Sequence, residues 1–302
     1  MSEKNAAAAA PASSGSYLYG CALVVTGGGV LSLGAICIRA ASASTAWQYI
    51  FWRALGVVAA LWVLARLRGR TSPLRQIAML APVGWLGASA LTAAGAAFVA
   101  ALQVTTLAET FFLCSLAPLL VTMLARPLLG EPMGLWSLTA IGVGLIGVFV
   151  MIGGALEGGN AAGRILALTS MAMFAAYTLC TRGASARDLD AMLLVYGLMS
   201  VVLGAAAIHF TETPLTPRWQ DVAIAVLHGA FLLSGGLFLF GQGSRFVSAV
   251  TLTVLAQTES ALAPLWGYLF FDEQPSLGTV LGGFIIIGAV ILQATAGAPE
   301  RR

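Results

Sequence analysis

Between residues 17 and 294 the chain is a succession of ten apolar stretches joined by short connections: 17–38, 46–65, 77–99, 104–125, 134–155, 163–181, 191–210, 222–241, 247–271 and 277–294. Each is close to the ~20 apolar residues that carry a helix across a bilayer. A soluble chain cannot bury this much apolar surface with so few charges to cover it. Only 9% of the residues are charged and mean hydropathy is +0.92, against about 25% charged in ordinary soluble domains. The stretches lack period-two alternation and run about twice the ~9–11 residues of a membrane strand, so they are read as helices. The fold class expected is an all-α integral membrane protein with ten transmembrane helices.

The rest of the composition narrows the function. A net charge of +3, spread over loops, gives no footprint for nucleic acid. Cys21, Cys37, Cys114 and Cys180 show no metal-ligand spacing, and no metal or other cofactor is expected. Glycine-rich stretches such as 27–29 and 142–147 follow no strand and carry no Gly-Lys-Ser/Thr, so they are not phosphate loops. Gly278 and Gly282 form a GxxxG pattern, which reads as close helix packing, within a monomer or across a homodimer. Residues 1–16, rich in Ala and Ser, read as a disordered tail, and 295–302 as a short second tail. The first stretch lacks a preceding basic cluster and reads as a retained span.

Orientation follows from basic residues in short loops. With the N-terminus inside, the inner side collects Lys4, Arg66, Arg68, Arg70, Arg75, Arg126, Arg182, Arg187, Arg245, Arg301 and Arg302, against Arg39, Arg164 and Arg218 outside. Both termini are therefore expected in the cytoplasm, with lipid bilayer as solvent.

Sliding the sequence on itself by 142 residues aligns Gly87 with Gly229, Phe98 with Phe240, Leu113 with Leu255, Glu131 with Glu273 and Val148 with Val290. Each match falls at the same place in a five-span unit. LLGEP (128–132) and FFDEQP (270–275) both mark the turn between a unit's fourth and fifth spans. Five is odd, so the second unit, 163–294, enters the membrane inverted relative to the first, 17–155. Inverted repeats are typical of alternating-access transporters, with substrate held between the halves near the midplane.

The segments ALQVTTLAETFFLCSLAPLLVTMLARPLLGE (101–131) and GSRFVSAVTLTVLAQTESALAPLWGYLFFDE (243–273) resemble the fourth and ninth spans of EamA-type members of the drug/metabolite transporter superfamily. TLTVLAQTESALAPLWGYLFFDE is most similar to the YddG-type exporters of aromatic amino acids. Ser260 departs from the pattern, standing where Pro usually follows Glu. The resemblance implies a central cavity between the third, fourth, eighth and ninth helices, residence in the plasma membrane (the bacterial inner membrane), and export of small metabolites. Aromatic amino acids come first among the substrates, and organic cations or drugs are the alternative.

Glu259 stands about 13 residues from either end of its run. An ionisable group at that depth faces a bundle interior or a wet cavity, so Glu259 is a candidate to hold a substrate amino group or to carry a coupling proton. A structural acid tied to a neighbouring helix is the alternative. At 100° per residue Thr253, Gln257, Ser260 and Pro264 share one face, and their 142-residue partners Phe111, Ser115, Pro118 and Thr122 share another, with Pro118 and Pro264 as expected kinks. Small polar residues packing helices together would give the same pattern. His228 shares a face with Phe231, and Trp85 lies almost symmetrically in the first unit; these three are candidates for an aromatic wall on a ring-bearing substrate. Glu109 is nearer a span end, where an interfacial role is expected. Arg53 can snorkel, pair with Glu109, or meet a substrate carboxylate. A membrane-embedded enzyme using Glu259 and His228 would need an acid/base geometry that no HExxH, nucleophile motif or second acidic cluster supports, so no enzyme is expected.

Overall fold

In a bilayer every backbone N–H and C=O must be satisfied within the chain, so apolar runs of this kind form helices and nothing more irregular. The computed structural model describes residues 14–67, 73–104, 107–130, 134–152, 161–182, 184–271 and 277–296, and these are helical with short connections and, among the described residues, no strand. The helices are α1 (Ser14–Ser32), α2 (Gly34–Ala40), α3 (Ala46–Leu67), α4 (Pro73–Ala78), α5 (Pro82–Val104), α6 (Leu107–Cys114), α7 (Ala117–Leu129), α8 (Leu135–Ile152), α9 (Ala161–Thr181), α10 (Ala186–Phe210), α11 (Trp219–Leu227), α12 (Ser234–Gly243), α13 (Ala249–Ala256), α14 (Thr258–Phe271) and α15 (Leu277–Ala296). A π-helical turn, His228–Leu233, joins α11 to α12 without a break.

Six helical stretches among the described residues are long and apolar enough to cross a membrane: Gly15–Ala40, Ala46–Leu67, Pro82–Val104, Ala161–Thr181, Arg187–Phe210 and Trp219–Gly243. The other four expected spans divide into two kinds. Leu135–Val150 and Val280–Thr295 are shorter apolar helices, while the stretches 104–125 and 247–271 are each split in the middle. Of the expected tails, α1 already begins at Ser14 and α15 runs on to Ala296; residues 1–13 and 297–302 lie outside the described residues, as do the acidic turns at 131–133 and 272–276.

Both splits have a chemical cause. Pro118 has no N–H to give, and Leu119 N donates to Leu116 O at 3.0 Å, so Ser115 O is left without its helical partner. The second split has no proline, because Ser260 occupies the matching position. There Gln257 N turns back to Val254 O at 3.1 Å and Thr258 Oγ1 donates to Leu255 O at 2.8 Å. The two breaks answer each other: Gln257 Nε2 donates to Ser115 O at 2.8 Å, supplying the partner the first break removed. These two residues are 142 apart, and adding 142 to the bounds of α6 (107–114) gives those of α13 (249–256).

Helix pairs approach where glycine removes the side chain. A Cβ on Gly27 would come within 2.9 Å of Gly236 O, bringing α1 onto α12, and one on Gly147 would come within 2.9 Å of Gly282 O, bringing α8 onto α15. Gly282 of the GxxxG pattern thus packs within the chain. The loops gather at two ends. At one, Ala43 N donates to Asp221 Oδ2 (2.9 Å), Gln48 Nε2 to Pro214 O (2.6 Å) and Trp52 Nε1 to Leu215 O (3.0 Å). At the other, Arg182 Nη1 donates to Ser244 O (2.6 Å) and Val247 O (2.7 Å). Beside it buried Gln293 donates to Ser137 Oγ (3.1 Å) and Thr251 Oγ1 (2.8 Å) and accepts from Tyr17 OH at its carbonyl (2.7 Å).

Candidate functional site

A cavity of about 220 Å³ lies between the helices, well beyond the ~10–15 Å³ that admits a single water. It draws on both halves of the chain. Its polar wall comes from the second split helix: Thr253 on α13, Gln257 in the break, and Glu259 and Ser260 at the start of α14. A regular helix would already put Thr253, Gln257 and Ser260 on one face and turn Glu259 about 120° away from Thr253; across the break Glu259 joins the same wall. Among the described residues no cation stands against the Glu259 carboxylate. Thr253 Oγ1 bonds back to Val250 O at 2.9 Å, so its donor is already engaged.

The apolar wall is aromatic. Phe98 and Phe111 meet edge to face at 5.6 Å between centroids, and Phe174 meets Phe240 at 5.5 Å. Phe240 also stacks on Tyr177, so this second pair forms a packed floor. The lining extends from that floor to Ile38 and Arg39 beside the Ala41–Thr45 end. Neither Arg182 nor Gln293, at the opposite end, contributes to it.

His228 and Arg53 complete the lining. His228 is buried, with Nδ1 at 2.6 Å from the Tyr49 hydroxyl. Its Nε2 edge lies against Gly34, where a Cβ would come within 2.8 Å. Gly229 lets the π turn rest directly on the carbonyl of Arg53; a Cβ there would overlap it. His228 and Arg53 are thus fixed to one another through backbone contact as well as by proximity.

Of the sequence-derived candidates, Glu259, Gln257, Thr253, Ser260, His228, Phe111 and Pro118 line this cavity. Ser115 is buried behind the break and takes part through its carbonyl. Two placements correct the expectation. Trp85 is 43% exposed on the outer face of α5, because that helix starts at Pro82 and not near 77, which puts Trp85 one turn from a helix end, where aromatic belts sit. Phe231 is 68% exposed, because the wider π turn rotates it away from the face it would share with His228 in a regular helix. The side chains of Glu109 and Pro264 lie outside the described residues; their backbones fall in α6 and α14. Sequence reasoning missed Phe174, Tyr196, Phe98 and Phe240 as lining residues, although the 142-residue shift had already aligned the last two with each other.

Residues 161–295 match the EamA-like transporter family. The chain is also 28% identical, over 199 residues, to a protein of Archaeoglobus fulgidus described as an uncharacterized transporter; the match covers 65% of this chain and 70% of that protein. A solved crystal structure is similar over 93% of this chain and 99% of its own, with a TM-score of 0.77 and 19% identity, a likeness of fold alone. The matched residues take in α9 to α15 up to Thr295, and so the whole polar wall of the cavity. The family match and the relative support a multi-pass membrane transporter.

Proposed function

We propose that the protein is a secondary transporter that exports small amphipathic metabolites, aromatic amino acids first, by exposing this cavity alternately to the two sides of the membrane. The observation that carries the reading is the cavity itself, with one carboxylate, Glu259, at a helix break facing an aromatic wall of Phe98, Phe111, Phe174 and Phe240. Broken helices at mid-depth are where transporters hold substrate, and an aromatic wall suits a ring. In this reading Glu259 takes the ammonium group of the substrate or a coupling proton, and Gln257 and Ser260 add polar contacts.

The architecture proposed is ten spans in two inverted units, 17–155 and 163–294. It is supported by the 142-residue recurrence of helix bounds and by the bond between the recurring breaks at Ser115 and Gln257. The two groups of loops fit cytoplasmic termini, with Arg182 and Arg245 inside. Counterflow of labelled phenylalanine and tryptophan in proteoliposomes tests the function: saturable, mutually competitive exchange is expected, and no saturable uptake of any amino acid or related amphipath would overturn it. The unpaired Glu259 favours a second reading, efflux of organic cations. On that reading Glu259→Gln abolishes cation transport and spares zwitterions; equal loss of both counts against it.

A further inference from the structure

Arg53 is a buried, permanently charged residue in an apolar helix. It sits seven residues into α3 and is only 6% exposed, yet its Nε has no hydrogen-bond partner. A buried guanidinium left short of partners is unfavourable in protein and more so in lipid. Snorkelling does not account for it, since the side chain lines the cavity and does not run out to the helix end. Nor is the backbone free to withdraw it, because Arg53 O is pinned under Gly229.

The surroundings hold the guanidinium plane without satisfying it. Its Cζ lies 5.9 Å from the centre of the Tyr49 ring, a cation–π contact that orients the group but leaves its in-plane donors open. Nη2 and the Tyr196 hydroxyl both border the space beside Gly95, at 3.7 and 3.5 Å from where a Cβ would stand. A fork of N–H donors beside a hydroxyl, over a glycine that clears room for a ligand, is a binding arrangement for a planar oxyanion. Among the described lining residues Arg53 offers an anion its positive charge in the same cavity as the Glu259 carboxylate.

We infer that Arg53, assisted by Tyr196, anchors a carboxylate of the transported molecule, which makes the substrate class zwitterions or organic anions and not organic cations. For an amino acid, the carboxylate docks at Arg53, the ammonium group faces Glu259, and the side chain lies along the aromatic wall. This inference rests on the reading of the cavity as the transport site.

The test is binding to the purified full-length protein in nanodiscs of four probes: phenylalanine, leucine, 3-phenylpropionate and 2-phenylethylamine. The wild type is expected to bind the three carboxylates more tightly than the amine. Arg53→Met should weaken those three by at least about ten-fold, the size of a lost charged hydrogen bond, and leave the amine unchanged or tighter. Arg53→Lys should keep part of the affinity, and Tyr196→Phe should cost a few-fold for the carboxylates alone. If Arg53→Met fails to fold, these two milder variants decide. Three results would overturn the inference: no carboxylate binds the wild type, the Arg53 variants leave the carboxylates unaffected, or all four probes weaken equally. Arg53-dependent binding of leucine without phenylalanine keeps the anchor and removes the aromatic substrate. Arg53-dependent binding without counterflow keeps the anchor and removes transport.

Discussion

At the scale of single residues, the cavity depends on atoms that are missing as much as on those present. Gly34 gives His228 its place, since a methyl there would stand 2.8 Å from Nε2 and 3.0 Å from Cε1 of the ring. Gly34→Ala is therefore expected to tilt the imidazole, stretch the 2.6 Å contact with Tyr49 and destabilise the protein by about 1–3 kcal/mol, the usual range for overpacking. Thermal unfolding in detergent measures this. The double variant Gly34→Ala, His228→Ala relieves the clash, so the two losses should fall short of adding by about 0.5–3 kcal/mol; strict additivity would show that the glycine and the histidine do not meet. Tyr49→Phe isolates the hydroxyl. It leaves His228 Nδ1 buried and unpaired, at a cost of about 1–3 kcal/mol, and an unchanged unfolding temperature would mean that Nδ1 finds another partner.

At the scale of elements, the helix breaks decide which way the polar residues point. Gln257→Leu removes the donor to Ser115 O, a carbonyl already without its helical partner because Leu119 N turns to Leu116 O. Hydrogen bonds between membrane helices average about 0.6 kcal/mol, and an unsatisfied buried carbonyl costs about 1–3 kcal/mol. The expected loss lies between these, near 1 kcal/mol, with α6–α7 and α13–α14 loosened together; equilibrium unfolding of Gln257→Leu showing no loss would mean that water reaches Ser115 O instead.

The same elements show what a sequence makes visible. Apolar runs bounded by loops exposed nearly every helix, because in a bilayer length and hydropathy are the physical requirement. The shared face of Thr253, Gln257 and Ser260 was legible because small polar residues in an apolar run recur at helical spacing. The π turn at 228–233 was not: Gly229 there lies against Arg53 O of α3 and Ser234 Oγ donates to Gly229 O at 2.7 Å, and neither contact shows in apolar periodicity. That turn carries Phe231 away from the face of His228. Trp85 lies near a helix end because Pro82 opens α5, a start that hydropathy alone does not mark. The placement of Tyr196 and Phe174 against the cavity lies in helix packing, which periodicity along the chain does not encode.

At the scale of the whole molecule, the structure is asymmetric between its two ends. The cavity lining runs out to Arg39 beside the Ala41–Thr45 loop, while the opposite end is tied by Arg182 and by the Gln293 cluster. On the proposed cycle these ties must open for substrate to enter from the cytoplasm. Arg182 gives two hydrogen bonds to carbonyls of the segment between α12 and α13, Ser244 O and Val247 O, each of the charged kind worth about 1.5–3 kcal/mol. On that cycle they hold only one of the two states, so their loss is expected to shift the population and not merely to lower stability. Losing even one such bond should move the balance between the two states by about ten-fold or more. The measurement uses Thr253→Cys in a background with Cys21, Cys37, Cys114 and Cys180 replaced, in sealed vesicles of known orientation. Adding Arg182→Ala should speed its labelling by a membrane-impermeant thiol reagent from the side bearing Arg182 and slow it from the side bearing Arg39. Faster labelling from both sides would indicate general loosening, and no change from either would show that the Gln293 cluster alone keeps that end shut.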